Sequence, residues 1–160
     1  MADAPAPVLH VSVQEADFDL AAECARLTEG RADVGALVTF TGLVRDRGGD
    51  VPVSAMELEH YPGMTEKALT EIAEQALARW PLQGAVVIHR YGPLLPADRI
   101  VLVATASPHR QAAFEAAEFL MDWLKTKAPF WKKETTPDGA RWVDARESDD
   151  AAAARWGREG

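Results

Sequence analysis

The sequence predicts an α+β fold in a single domain, on three observations. Segments of strand and helix character follow one another in the order βαββαββαββ, so helical crossovers and hairpins both occur. The length of 160 residues matches one domain, read here as residues 1–160 with flexible tails at 1–7 and about 148–160. The composition, 48% hydrophobic and 26% charged, excludes disordered and collagen-like architectures. A chain of this size buries roughly two-thirds of its unfolded surface, enough for a core without metal or disulfide staples.

The elements follow in order. Val8 to Val13 reads as a strand and Asp19 to Leu27 as a short helix. Gly35 to Gly42 is rich in β-formers between glycines and reads as a second strand, running into a loop that ends at Asp50. Val53 to His60 is a third strand, closed by Tyr61-Pro-Gly63. Met64, Ala68, Leu69, Ile72, Ala73, Ala76, Leu77 and Trp80 then recur as one buried helical face, which Pro81 ends. Two more strands, Ala85 to Tyr91 and Arg99 to Ala106, flank a proline-containing loop over residues 92–98. Ser107-Pro108 has the chemistry of a helix start, serine as N-cap and proline at the first helical position. That helix carries Ala113, Ala116, Ala117, Leu120, Met121 and Leu124 on one face and stops near Lys127, because Pro129 disfavours helical geometry in Ala128. Phe130 to Thr135 and Ala140 to Val143 flank the turn Thr136-Pro-Asp-Gly139 and read as a hairpin. From Glu147 the tail is alanine- and charge-rich without a clear core face.

Charge narrows the function classes. The net −8 argues against a nucleic-acid binder, whose affinity comes mainly from neutralising phosphates. Four of the five lysines, Lys125, Lys127, Lys132 and Lys133, fall in one stretch without an acid between them. This segment is either a solvated basic face or the site of a small anionic ligand or an acidic partner tail. No apolar run approaches the ~20 residues of a membrane span, and Met1-Ala-Asp-Ala-Pro-Ala-Pro7 lacks the n- and h-regions of a secretory signal. With a single cysteine, the expectation is a cytoplasmic protein in a reducing compartment.

The usual catalytic sets are missing. There is no phosphate loop, no GxGxxG and no GxSxG, and the four histidines have no metal-ligand spacing, so neither a metal nor a cofactor is expected. Cys24 shares a helical stripe with Leu20, Ala21 and Leu27 and reads as a packed thiol. What remains is a set of basic residues at element ends. Arg45 follows a strand; His109-Arg110 opens a helix, where free N–H groups favour anions. Lys125 sits at the edge of the apolar stripe, where a partly desolvated lysine suits acid–base or nucleophilic work. Phe130-Trp131 beside Lys132 offers flat apolar surface next to positive charge, which fits a planar anion or plain strand packing. His89-Arg90, inside a strand, reads as structural.

Seven blocks in order carry a resemblance. They are Phe40-Thr-Gly-Leu-Val-Arg45, Leu58-Glu-His-Tyr-Pro-Gly-Met-Thr-Glu-Lys-Ala-Leu69, His89-Arg-Tyr-Gly92, Ser107-Pro-His-Arg110, Leu124-Lys125, Ala128-Pro-Phe-Trp-Lys-Lys-Glu134 and Arg141-Trp-Val-Asp-Ala-Arg-Glu-Ser148. Together, from about Val8 to Trp156, the chain resembles the large, catalytic subunit of molybdopterin synthase. The resemblance implies an α/β hammerhead with further β structure. It implies sulfur transfer in molybdenum cofactor biosynthesis, from cyclic pyranopterin monophosphate to the dithiolene of molybdopterin. The sulfur donor is the C-terminal Gly-Gly thiocarboxylate of a small ubiquitin-like subunit, and the assembly is a homodimer within a heterotetramer. By motif, Lys125 and Lys132 look like the catalytic lysines. Phe40, Leu43, Val44, Arg45, His109, Arg110, Met121, Lys133, Glu134 and Arg146 look like substrate-pocket residues.

A non-catalytic docking module for an acidic or Gly-Gly tail is the competing expectation; the presence of Arg45, His109 and Arg110 favours the enzyme. A generic phosphate-ester enzyme would call for metal-binding carboxylates or a phosphate loop. Arg110 and Lys125 lie fifteen residues apart on one predicted helix, roughly 22 Å at ~1.5 Å per residue. A symmetric dimer can bring the start of one chain's helix to the end of the other's.

Overall fold

The computed structural model describes residues 5–143 and 155–158. Its elements are β1 (Val8–Gln14), α1 (Leu20–Thr28), β2 (Ala36–Leu43), β3 (Arg47–Gly48), β4 (Val51–Pro52), β5 (Ala55–His60), α2 (Met64–Arg79), β6 (Gly84–Arg90), β7 (Gly92–Leu94), β8 (Arg99–Ser107), α3 (Arg110–Thr126), β9 (Phe130–Thr136) and β10 (Gly139–Val143), with a 3₁₀ turn at Arg155–Arg158. The α+β class holds.

The first sheet has the order β1-β6-β8-β2. β1 runs parallel to β6, and the other pairs are antiparallel. Strand side chains alternate between faces, and here both faces are covered. Val86, Ile88, Leu102, Ala104 and Ala106 meet Phe18 and Leu27 from the α1 side. Val87, Val101 and Val103 meet Leu69, Ile72, Leu120 and Leu124 of α2 and α3. This double coverage explains why β6 reads as a continuous apolar run rather than an alternation. The second sheet, β10-β9-β5-β7, is antiparallel throughout. Its inner face packs Met56, Leu58 and Leu94 with Val44.

α3 begins two residues later than its cap chemistry predicts: His109 is the N-cap and Arg110 the first helical residue. Ser107 is committed to β8, paired with Ala36. Its hydroxyl donates to the Pro81 carbonyl at 2.8 Å and accepts from the His109 N–H at 3.2 Å. Pro108 is pinned as well, since a Cβ on Gly35 would stand 2.1 Å from the Pro108 carbonyl oxygen. The other end matches the prediction, with Lys127 as C-cap.

Two pieces of β structure lie where loops were predicted. β3 and β4 make a two-residue ribbon turning at Gly49, whose φ of 66° suits glycine. β7 pairs with Met56–Leu58, and its Pro93 is tolerated because β7 is an edge strand. In the tail, Trp156 returns to the core, edge-on to Trp80 and Phe119, with its indole N–H on Asp122 at 2.6 Å.

Candidate functional site

A cavity of about 570 Å³ opens between the two sheets. The end of β2 and the segment after it supply Leu43, Val44, Arg45, Arg47 and Gly48; the last turn of α3 supplies Leu124, Lys125 and Thr126. β9 contributes Phe130, Lys132 and Glu134, and β6 contributes His89. The period of two in β9 decides which side chains take part. Phe130, Lys132 and Glu134 share the face toward the cavity, while Trp131 and Lys133 face away. The Lys133 ammonium instead lies 5.5 Å from the centre of the Trp142 ring.

Glu134 is buried, and Arg141 of the neighbouring strand donates to its carboxylate at 3.3 Å. The β3 backbone closes over this pair: a Cβ on Gly48 would stand 2.8 Å from a Glu134 oxygen and 3.0 Å from Arg141. A larger residue there would push the Glu134 carboxylate and the Arg141 guanidinium aside, so glycine lets the pair lie close under the β3 backbone. Among the described residues the cavity wall holds Arg45, Arg47, Lys125, Lys132 and Arg141 against the single carboxylate of Glu134. Such an excess of fixed positive charge against an apolar wall of Val44, Met56, Leu58 and Ile100 suits an organic anion.

His89 is buried under the site. Burial is the main reason its pKa falls from 6.5 to about 4; Lys125 and His60 push the same way, against the hydrogen bond to the Arg90 carbonyl. Cys24 lies far from this chemistry in α1. Burial first, and Glu23 next to it, push its thiol up, which makes it a poor nucleophile.

Of the residues singled out from sequence, the cavity brings together Lys125, Lys132, Leu43, Val44, Arg45 and Glu134. It does not include Lys133, nor Phe40, which lies 41% exposed on β2, nor Met121, which packs against the α2–α3 core. His109 and Arg110 are exposed at the opposite end of α3 from Lys125. Arg146 lies outside the described residues. The sequence reading missed Arg47, Gly48, His89 and Arg141 as cavity residues. Arg141 was within reach: a hairpin closing on Thr136 and Gly139 sets it opposite Glu134. The sequence reads His89 as structural, and its stacking on Phe130 fits that role as well as its place at the cavity.

Comparison with known proteins gives the site its context. The family model described as MoaE protein matches residues 13–127. A molybdopterin synthase catalytic subunit of Mesorhizobium japonicum is 61% identical over 148 residues, 91% of this chain and 92% of that protein. The solved MoaE protein from Burkholderia ambifaria superposes with a TM-score of 0.79 at 58% identity, covering 94% of this chain and 99% of the other. The molybdopterin synthase structure from Staphylococcus aureus has a TM-score of 0.75 at 34% identity, covering 82% and 95%. On this breadth of sequence and fold likeness, the chain belongs to the MoaE protein family.

Proposed function

We propose that this chain acts as the catalytic subunit of a molybdopterin synthase. It converts cyclic pyranopterin monophosphate into molybdopterin, taking sulfur from the C-terminal thiocarboxylate of a small ubiquitin-like partner. The observation that carries this reading is the cavity itself, which gathers Arg45 from the segment after β2, Lys125 from α3, and Lys132 and Glu134 from β9. Both reactants are anions, and among the described residues the cavity holds five basic side chains against one acid. Lys125 and Lys132 meet the donor tail, neutralising the thiocarboxylate and supplying or removing protons as sulfur leaves it. Arg45 and Arg47 hold anionic groups at the rim. Glu134, oriented by Arg141, accepts hydrogen bonds from polar edges of the pterin. The absence of a nucleophilic cysteine fits a sulfur atom that arrives on the partner.

His109 and Arg110 enter through symmetry. α3 runs unbroken from Arg110 to Thr126, so Arg110 and Lys125 stand roughly 22 Å apart. In our reading a homodimer completes each site: these two residues bind the substrate phosphate in the neighbouring subunit's cavity. The family resemblance also assigns Phe40, Met121, Lys133 and Arg146 to the substrate; the first three stand outside this chain's own cavity, and Arg146 lies outside the described residues. We place the enzyme in the cytoplasm, since its lone cysteine fits a reducing compartment. Among the described residues no helix is long and apolar enough to cross a membrane.

The test is direct. The purified chain is incubated with cyclic pyranopterin monophosphate and a thiocarboxylated small subunit, and the dithiolene product is followed. Product should form, with the donor tail returned as a carboxylate. No product from folded, mutually bound subunits would overturn the assignment.

A further inference from the structure

The reading above gives tasks to the charged groups of the cavity and none to its histidine. His89 is 8% exposed, yet it lines the cavity beside Lys125, Phe130 and Lys132. Two contacts fix its ring. It stacks on Phe130 with centroids 3.8 Å apart and planes 19° from parallel. Its Nδ1 lies 2.8 Å from the Arg90 carbonyl oxygen. A carbonyl oxygen only accepts, so Nδ1 carries the hydrogen and donates. In the neutral ring Nε2 is then left with a lone pair. Among the described residues no hydrogen bond is made to Nε2.

The neighbours select its partner. Among the described residues of the cavity wall the one side-chain carboxylate, Glu134, is already paired with Arg141. Lys125, in the last turn of α3, shares the cavity wall with His89, and its charge acts on the His89 ring. We propose that His89 is a positioning residue for sulfur transfer: its Nε2, a neutral acceptor of fixed tautomer on the cavity floor, takes a hydrogen bond from the Lys125 ammonium and aims it at the reacting tail. Lys125 is a long, flexible side chain in the last turn of a helix, and one directed acceptor restricts where its ammonium can go. Through the Phe130 stack, the same ring ties that acceptor to β9, which carries Lys132. The inference rests on Lys125 being the catalytic lysine of the proposed reaction.

The test uses the reconstituted synthase and two variants. His89→Phe keeps an aromatic ring for the stack and removes the acceptor; kcat should fall about tenfold with KM within about twofold, the scale of one hydrogen bond to a charged group. His89→Gln, whose amide oxygen can stand near the position of Nε2, should recover most of that loss. Nitrogen-15 imidazole spectra of the unaltered protein should show the Nδ1–H tautomer at neutral pH, with an Nε2 resonance that moves on Lys125→Ala. These spectra decide the matter even if His89→Phe fails to fold. An Nε2–H tautomer, an Nε2 signal indifferent to Lys125, a loss in KM alone, or wild-type kcat in His89→Phe would each overturn the proposal. A Lys125→Ala enzyme with full activity would instead bring down the functional reading beneath it.

Discussion

Removing the His89 imidazole should flatten the acid limb of this protein's stability curve. In the fold its pKa is about 4, against 6.5 when exposed. The unfolded chain therefore takes up a proton as pH falls through about 6.5, while the folded chain resists until about 4, so stability is lost across that window as pH falls. A fall from 6.5 to about 4 corresponds to about 3 kcal/mol in full, of which roughly 2 kcal/mol develops between about pH 7 and about pH 4.5. His89→Phe keeps an aromatic ring against Phe130 and titrates nowhere in this range. Its loss of stability over the same interval should be smaller than that of the unaltered protein by about that amount, or about 5–10 °C in Tm for a chain of this size. Carboxylate titrations are common to both proteins and cancel in the difference. Urea unfolding followed by the fluorescence of the five tryptophans provides the measurement. Parallel stability curves for the two proteins would refute the reasoning, since they would mean that His89 titrates alike in the folded and unfolded states.

Three further outcomes are expected. Lys125→Ala and Lys132→Ala should fold and bind the small subunit yet lose most product formation, whereas Lys127→Ala, whose residue lies outside the cavity, should turn over nearly as the wild type does. If Lys127 proves essential in steady-state assays, the assignment at the end of α3 is wrong. Cys24→Ala should keep its turnover, with at most about 1 kcal/mol lost in denaturant unfolding; an inactive but folded Cys24→Ala would exclude delivery of sulfur by the partner. Mixing inactive Arg110→Ala with inactive Lys125→Ala should restore part of the activity by leaving one intact composite site per heterodimer. No recovery after demonstrated subunit exchange would mean that each site is built from one chain.

What the sequence disclosed and what it hid divide along physical lines. Periodic signals were legible. The apolar face of α2, the strand character of β1, β2 and β5, and the hairpin closed by Thr136-Pro-Asp-Gly139 all appear near their expected bounds. Short edge structure was not: β3, β4 and β7 run two or three residues each, too few to show a period, and a proline in β7 argued for a loop. The start of α3 misled because local cap chemistry at Ser107 was overruled by tertiary bonds to Pro81 and the close approach of Gly35. Trp156 was missed because one residue returning to a core leaves no pattern in its neighbours.

The site follows the same division. Arg45, Lys125, Lys132 and Glu134 stand in distinctive blocks, and each is polar where the chain's own periodicity leaves a functional reading open. His89 does not, because a histidine inside an apolar strand looks the same whether it is packing or poised. Only tertiary packing puts Phe130 of the second sheet against its ring and Lys125 of α3 on the same cavity wall. The same gap separates Arg110 from Lys125: a helix fixes their distance, and nothing in one chain can shorten it. Residues that act together across layers, or across a two-fold axis, are joined by packing alone. Local sequence signals therefore find the charged groups that meet substrate sooner than the neutral ones that position them.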